Sequence, residues 1–288
     1  MAINMNTLCV QCFLHKHLEI ARSLDKIKAN DFAVDLLEIL KNAVNNSNSS
    51  VAGAQVNGLY KKHFGLEKDR FVQEKIDSNA FVKSRLGQIE ALVQMQADPV
   101  FAALQFSVLG NYLDFSALRG QVSFDKLDDM LNEALQMQLD MDVYESLCRD
   151  LATGKKLLYI TDNAGEIGFD RVLAEQIQKK YPHLQITFCV RGLPVYNDAT
   201  REDAAFMEIP FPVIDTGCDI GGVHIPALSE EARNALQTAD VVIAKGMGNT
   251  ESMIGCGYNV YYAFLVKCAR FVEYFDKHML TPMIQKER

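Results

Sequence analysis

The chain has 288 residues, of which 49% are hydrophobic, so it is long enough to bury a large core within one or two domains. Its 29 basic and 37 acidic residues give a formal net charge of −8, and no cluster of Lys and Arg follows a predicted helix. Because nucleic-acid binding requires such a basic surface, we expect no nucleic-acid partner, and an anionic substrate would need local cations.

The apolar run Val260–Val266 ends at Lys267 and is far shorter than the roughly 20 residues that cross a bilayer, so we expect no membrane span. The first residues lack the basic and apolar regions of a secretory signal. The seven cysteines are an odd number, which favours free thiols over disulfides in a chain of this size. These features predict a cytoplasmic protein.

The segment from Phe13 to about Asp150 has apolar residues at helical spacings of three and four, as in 33–40 and 127–135. The polar run Asn45–Ser50 predicts a loop between two helices, because short polar side chains compete for backbone hydrogen bonds. We therefore predict an all-helical region over residues 1–153, with a boundary near Gly154.

Cys9 and Cys12 are followed by His15 and His17, a spacing that suggests a redox or metal site. A thioredoxin-type motif stands between a strand and a helix, whereas this pair opens a helical region. A structural zinc site needs four ligands, and the sequence has no second Cys-x-x-Cys. Buried structural thiols are the favoured interpretation, and a non-catalytic metal- or thiol-binding module is the alternative.

Asn111 and Asp114 stand three residues apart in the segment Leu109–Phe115, on one face of a helical turn. Polar groups among so many apolar neighbours need partners. Either they join helices through hydrogen bonds or they reach a substrate pocket, and we favour the pocket.

Over residues 154–288 short apolar runs alternate with helical segments. This order predicts an α/β domain with a mostly parallel, Rossmann-like sheet and helices on both faces, which is a three-layer αβα architecture. The predicted strands are 156–161, 185–190, 212–215, 240–244 and 260–266, and the predicted helices lie near 167–180, 200–207 and 229–238.

Polar residues follow three of these strands at the point where each strand ends. Because the carboxyl ends of parallel strands meet at one edge of a sheet, we expect the three loops to converge in one crevice. They contain Asp162, Asn163 and Glu166 after the first strand, Arg191, Asn197 and Asp198 after the second, and Lys245, Gly246, Asn249 and Glu251 after the fourth.

Oxygen ligands from Asp162, Asn163 and Asp198 suit one hard divalent ion such as magnesium or manganese, with open positions for water and substrate. Such an ion polarises a phosphoryl oxygen and lowers the pKa of bound water. Lys245 and the backbone amide of Gly246 are expected to contact the remaining phosphate oxygens.

The same residues also have simpler structural interpretations. Asp162 with Asn163, and Asn197 with Asp198, are good helix caps or turn residues. Glu166 suits the first turn of a helix because of the helix dipole. The lysine after the fourth strand is also consistent with a solvated side chain in a loop.

Taken together, the segments 110–114, 162–166, 197–203 and 245–251 resemble the damage-control phosphatase family, also called domain of unknown function eighty-nine. The resemblance covers nearly the whole chain. The N-terminal cysteine pair is similar to that of the mainly prokaryotic branch of the family.

The resemblance implies a helical N-terminal portion packed on a three-layer αβα sheet. It also implies a metal-dependent phosphatase that hydrolyses phosphomonoesters of small metabolites such as sugar phosphates. In this family an Asp-Asn pair and a later Asp hold one divalent ion (Mg, Mn, Co or Ni), and these map onto Asp162, Asn163 and Asp198. The family's phosphate contact maps onto Lys245.

We assign the remaining motif residues to the substrate pocket: Asn111, Asp114, Glu166, Arg191, Asn197, Gly246, Asn249 and Glu251.

Two alternatives stay open from the sequence. The attacking group is either water or Asp162 through an aspartyl-phosphate. A Rossmann-like methyltransferase or nucleotide-binding protein is the second functional hypothesis, although no Gly-x-Gly-x-x-Gly follows the first strand and the first loop is acidic. The sequence leaves the oligomeric state undefined.

Overall fold

The computed structural model describes residues 3–66, 70–115, 117–118 and 122–287. These residues form thirteen α-helices and one six-stranded sheet, which confirms the predicted α/β class. No helix in these ranges is long and apolar enough to span a membrane.

The helices are α1 (Thr7–Leu24), α2 (Lys28–Ala43), α3 (Ser49–Phe64), α4 (Val72–Lys83), α5 (Leu86–Gln94), α6 (Pro99–Gly110), α7 (Phe124–Glu133), α8 (Met141–Thr153), α9 (Glu166–Lys180), α10 (Arg201–Phe206), α11 (Glu230–Thr238), α12 (Gly246–Met253) and α13 (Ala269–Phe275). The strands are β1 (Lys156–Ile160), β2 (Gln185–Val190), β3 (Val213–Asp215), β4 (Val241–Lys245), β5 (Val260–Leu265) and β6 (Pro282–Lys286).

The helices α1 to α8 precede the first strand, in agreement with the helical pattern of residues 1–153. The predicted loop Asn45–Ser50 ends earlier than expected, because Asn48 accepts a hydrogen bond from the amide of Val51 at 3.0 Å and caps α3. The helix therefore begins at Ser49. The division of the chain into two domains near residue 153 remains a prediction.

Three hydrophobic clusters define the layers. The largest joins α4 to α10 with one face of the sheet, and the second joins α11 to α13 with the other face. In β1, Leu157 and Tyr159 face the first cluster, whereas Leu158 and Ile160 face the second, as strand geometry requires. The third cluster packs α1, α2 and α3 together. The sheet is thus covered on both sides, which explains its almost continuous apolar strands.

The strand order is β3-β2-β1-β4-β5-β6, and all pairs are parallel except β5 with β6. From β1 the chain adds β2 and β3 on one side and then β4, β5 and β6 on the other, so the strand order reverses between β1 and β4. Such a switch point opens a crevice at the carboxyl ends of the strands, where ligands bind in sheets of this kind. β6 was not predicted, because its sequence is short, begins with proline and has no continuous apolar run; it lies at the edge of the sheet, where proline is tolerated.

The segment after β4 differs from its prediction. Residues 245–251 were expected to form a loop, but α12 begins directly at Gly246. The Thr250 hydroxyl donates to the Gly246 carbonyl at 2.8 Å, and Asn249 Nδ2 donates to the Lys245 carbonyl at 2.6 Å. These bonds stabilise a short helix that contains two glycines, which ordinarily weaken helices.

Candidate active site

The loops after β1 and β2 lie side by side at the carboxyl edge of the sheet. Asn163 and Asp198 pair as an isolated antiparallel bridge, and the Ala199 amide donates to the Asp162 carbonyl at 2.7 Å. Asp162, Asn163 and Asp198 also line one common cavity. The structure therefore brings the three predicted metal ligands together, while metal binding by them remains a prediction.

Glycines allow the backbone to turn sharply at this edge. Gly165 adopts φ 76° between β1 and α9, and its amide donates to Asn79 Oδ1 at 2.7 Å. Gly246 adopts φ 78°, and a Cβ at this position would lie 1.9 Å from Asp162 Oδ2. A glycine is thus required beside the Asp162 carboxylate. The expected contact between Gly246 and a phosphate stays a prediction.

Asp162 and Asp198 are buried, with exposed fractions of 6% and 5%. Burial and the negative charges of Asp198 and Glu166 raise the pKa of Asp162 well above its usual range. Burial likewise raises the pKa of Asp198 to about 6, against the lowering effect of Arg191. The Arg191 guanidinium reaches both carboxylates, with Nε 2.7 Å from Asp198 Oδ2 and Nη2 3.8 Å from Asp162 Oδ1.

Lys245 lies beneath these carboxylates and is completely buried. Its Nζ donates to Glu166 Oε1 at 2.6 Å and to the Ser107 carbonyl at 2.8 Å, and it lies 3.2 Å from Asp170 Oδ1. These three partners use all three N–H groups of the ammonium. Lys245 does not line the cavity, so this placement gives no support to the predicted phosphate contact, which stays untested.

We call Asn111, Glu166, Asp170, Arg191 and Lys245 the floor of the site, because they are buried beneath the cavity without lining it. Within the floor, Asn111 Nδ2 donates to Asp162 Oδ2 at 2.9 Å and to Glu166 Oε2 at 3.0 Å. Its Oδ1 accepts from the backbone of β5 at 3.1 Å. Asn111 thus positions the cluster from below, although a pocket role was favoured from sequence.

Three other motif residues also hold the loops in place. Asn197 Nδ2 donates to Asn163 Oδ1 at 3.0 Å and to the Leu113 carbonyl at 2.7 Å. Asn249 Oδ1 accepts from Arg191 Nη2 at 3.0 Å. Glu251 lines the cavity, and its Oε1 accepts from both hydroxyls and one amide of Ser49 and Ser50.

The cavity above the floor has a volume of 1270 Å³. We call five polar and charged residues that line this cavity, Asp114, Asp162, Asn163, Asp198 and Lys267, the open face. Lys267 Nζ lies 2.7 Å from Asp114 Oδ2 and donates to the Asn111 carbonyl at 2.7 Å. A third N–H of this ammonium has no acceptor among the described residues.

Sequence reasoning missed Lys267 and Asp170. Lys267 is the first charged residue after the apolar strand β5. Its position resembles that of Lys245, the charged residue that ends the apolar strand β4. Asp170 stands four residues after Glu166, on the same face of α9. Both signals were present in the sequence, but neither residue was assigned to the site.

The charges of the floor and the open face do not balance. Five acidic side chains are linked to three basic ones by ion pairs, which gives this part of the described chain a formal net charge of −2 when every carboxyl is ionised. The acidic groups are Asp114, Asp162, Glu166, Asp170 and Asp198, and the basic groups are Arg191, Lys245 and Lys267. A divalent cation would neutralise this excess.

The side chains near Asp162 also determine which atoms could ligate a metal ion. The described ranges contain no group of three His, Cys, Asp or Glu residues arranged to hold a metal, so the proposed set adds the amide oxygen of Asn163 to the two aspartates. The Asn163 amide donates from Nδ2 to Asp162 Oδ2 at 2.9 Å, and its Oδ1 accepts from Asn197 Nδ2 at 3.0 Å. Arg191 Nη1 and Asn197 Oδ1 are buried without a partner in the described chain, so one donor and one acceptor at the site are available to a ligand.

The cysteine pair opens α1 at the opposite wall of the cavity. Cys9 and Cys12 are half-buried, and neither forms a disulfide. His17 Nδ1 lies 2.9 Å from the Tyr60 hydroxyl, and burial lowers the pKa of His17 to about 3. Since the described residues contain no group of three such ligands, the structure gives no support to a metal site built on this motif.

The fold and the site define an α/β protein that can bind a small charged ligand at the carboxyl edge of its sheet. A family model described as the damage-control phosphatase ARMT1-like domain matches residues 5–279. This range includes the floor and the open face. The chain therefore belongs to the damage-control phosphatase ARMT1-like family, as its motifs predicted.

Relatives from archaea agree with this assignment. An uncharacterised protein of Methanocaldococcus jannaschii is 32% identical over 94% of this chain and 92% of its own length. Proteins named damage-control phosphatase from Archaeoglobus fulgidus and Pyrococcus horikoshii are 29% and 30% identical, over 87% and 72% of this chain and 88% and 70% of their own lengths. A crystal structure of a DUF89 family protein from Pyrococcus horikoshii matches the fold with a TM-score of 0.84 over 99% of both chains, at 24% identity.

Proposed function

We propose that this protein is a phosphatase that uses one divalent metal ion to hydrolyse phosphomonoesters of small metabolites, including sugar phosphates. Family membership supports the phosphatase activity, since two of the relatives carry that name. The observation that carries the proposal is the excess of two negative charges at the open face, in a buried site where Asp162, Asn163 and Asp198 meet.

In this proposal Asp162, Asn163 and Asp198 hold a magnesium, manganese, cobalt or nickel ion. The ion would supply a Lewis acid for a phosphoryl oxygen and a bound water of lowered pKa. The raised pKa values of Asp162 and Asp198 support this role, because a cation would stabilise both charged carboxylates.

Lys267 is the cation best suited to meet the phosphoryl group. It lines the cavity beside Asp162, and its positive charge lowers the pKa of that carboxyl. Asp114 and the Asn111 carbonyl hold its ammonium in one direction, and among the described residues its third N–H has no acceptor, so it is placed to donate to a phosphoryl oxygen. A donor fixed before the reaction stabilises charge that develops in the transition state.

Lys245 contributes in a different way. Its ion pairs with Glu166 and Asp170 fix the floor, and Glu166 Oε2 accepts from Asn163 Nδ2 at 2.6 Å. Lys245 thereby positions a predicted metal ligand without touching the substrate. The attacking group is either water or the Asp162 carboxylate, whose Oδ2 is oriented by two amides at 2.9 Å.

A phosphatase screen tests the proposal. The metal-free protein is assayed on a panel of sugar phosphates and other phosphomonoesters with magnesium, manganese, cobalt and nickel supplied in turn. Phosphate release that needs one of these ions and stops with a chelator supports the proposal. Equal release with and without metal, or no release from any ester, contradicts it. Rapid-quench trapping of an acid-stable phospho-enzyme distinguishes attack by Asp162 from attack by water.

A further inference from the structure

The cavity extends well beyond the open face. It continues along the first turns of α1, residues 7–17, and along the connection from β5 to α13, residues 267–272. Its 1270 Å³ exceeds the roughly 300–1,000 Å³ of most small-molecule sites. A hexose phosphate bound at Asp162 would occupy the inner end and leave the outer part empty.

The outer part of the cavity has a mainly apolar wall. Leu8, Leu118, Met247 and Met279 all line it. Leu8 and Met279 belong to none of the three hydrophobic clusters formed by the described residues, and Met279 is 51% exposed. Apolar side chains that line a cavity without being packed are stabilised when an apolar ligand covers them.

Thiols form another part of the same wall. Cys9 and Cys268 line the cavity, and burial raises the pKa of Cys9 and raises that of Cys268 to about 12. Both groups therefore stay protonated at neutral pH, and a neutral buried thiol behaves as a small apolar group. The N-terminal cysteine motif thus contributes to an apolar surface near the site.

Some polar groups of the wall have partners within the protein, whereas the buried Arg270 Nε of the same wall has none among the described residues. The hydroxyls of Ser49 and Ser50 donate to Glu251 Oε1 at 2.6 and 2.8 Å. His17 is hydrogen-bonded to Tyr60. A ligand rich in hydroxyl groups would have to break these bonds, whereas an apolar ligand would not.

We propose that the preferred substrate is a phosphomonoester whose alcohol carries an extended apolar group, which lies along α1 and the β5–α13 connection while the phosphate binds at the open face. This inference rests on the proposed phosphatase function and specifies the substrate class of the same site.

A series of linear alkyl phosphates tests the inference in the metal-loaded protein. Ethyl, butyl, hexyl and octyl phosphate share one leaving-group chemistry and differ only in apolar length. We expect kcat/KM to rise by about two- to fourfold per methylene group, since each buried methylene contributes a similar transfer free energy. Hexose phosphates should be poorer substrates than octyl phosphate.

Two variants with matched controls locate the effect. Leu8→Ser and Met279→Ser replace wall residues, and they should reduce the increase in kcat/KM per methylene group. Leu24→Ser, at the other end of α1, and Met95→Ser replace exposed residues that do not line the cavity, and they should keep the wild-type increase. Thermal unfolding of all four variants identifies any loss of folded protein.

The outcomes separate this inference from the function on which it rests. Hydrolysis of the short esters with no gain from chain length would overturn the substrate class and leave the phosphatase proposal intact. The same decrease in all four variants would also overturn it. Absence of hydrolysis for every ester and every ion would overturn both proposals.

Discussion

The floor and the open face of the site are built from the same kinds of residue but differ in how completely their charges are paired. In the floor, Lys245 gives all three of its N–H groups to protein acceptors, and its side chain is completely buried. At the open face, one N–H of Lys267 has no acceptor among the described residues, and Asp162 has a strongly raised pKa. The two lysines thus differ in role: the fully paired ammonium of Lys245 holds the site together, whereas the ammonium of Lys267 is available to a ligand.

The two lysines illustrate this difference most directly. Lys245 is the last residue of the apolar strand β4, Lys267 stands two residues after the apolar strand β5, and these strands are neighbours in the sheet. Their position at the carboxyl end of a strand therefore does not distinguish the two lysines. Their partners do, because Lys245 faces Glu166 and Asp170, whereas Lys267 faces the single carboxylate of Asp114.

The largest effect is expected from Asp162→Asn, which tests the open face. The substitution keeps the shape and the bonds from Asn111 and Asn163 to the side-chain oxygen, but it removes one charge from the proposed metal site. We expect phosphate release to fall at least about a hundred- to a thousandfold, as when a transition-state contact is lost. Circular dichroism and thermal unfolding should show a folded protein; retained activity would contradict the assignment.

Lys245→Met and Lys267→Met separate the two regions. Lys245→Met leaves two buried carboxylates unpaired, so it should reduce the free energy of unfolding by about 3–5 kcal/mol. Lys267→Met removes the proposed donor to the phosphoryl group and should lower kcat/KM about a hundredfold. Its partner Asp114 is 14% exposed, so the loss of stability should be smaller than for Lys245→Met.

Urea unfolding and steady-state kinetics of both variants measure these effects. The double variant Lys245→Met with Glu166→Gln is a control, because it neutralises one of the unpaired carboxylates and should recover part of the stability. If Lys267→Met retained full activity while Lys245→Met lost activity without loss of stability, the roles of the two lysines would be reversed.

A smaller effect on stability is expected for Asp170→Asn. Asp170 is buried, its Oδ2 has no partner in the described chain, and burial raises its pKa from 3.8 to about 6. A raised folded-state pKa means that the group favours folding most at low pH and that this contribution is lost as the pH rises through 6. Between pH 5 and pH 7 the wild type should lose about 1 kcal/mol of unfolding free energy relative to Asp170→Asn. Urea titrations at both pH values measure this difference; equal pH dependence in the two proteins would show that Asp170 is not the group responsible.

The smallest effect is expected for the double variant Cys9→Ser, Cys12→Ser. These thiols line the cavity but belong to neither the floor nor the open face, so hydrolysis of short esters should change less than about twofold. A complete loss of function in a folded protein would favour the thiol-based alternative. Assay of ethyl phosphate hydrolysis, with a thermal unfolding control, distinguishes the two results.

Much of the α/β half was predictable because its signals are local. The runs that form β1, β2 and β5 are apolar and bounded by polar residues, and their predicted ends lie within one residue of those observed. The convergence of Asp162 with Asp198 followed from a general property of parallel sheets. The bridge between Asn163 and Asp198 now provides its structural basis.

Other features depended on tertiary contacts that a sequence does not display. The direction of the Lys245 side chain is determined by Glu166 and Asp170 on α9 and by the Ser107 carbonyl on α6. The edge strand β6 gains its stability from pairing with β5, because its own sequence has only weak strand propensity. The sequence therefore indicated which segments meet, but not which side chains point into the cavity.

Metal binding by the isolated protein tests the central claim most directly. Calorimetric titration of manganese into the metal-free wild type should show one site per chain. Asp198→Asn should abolish that site, and Asp215→Asn, a substitution of an acidic residue at the end of β3 outside the cavity, should leave it unchanged. Binding that is equal in all three proteins, or absent from the wild type, would contradict the account.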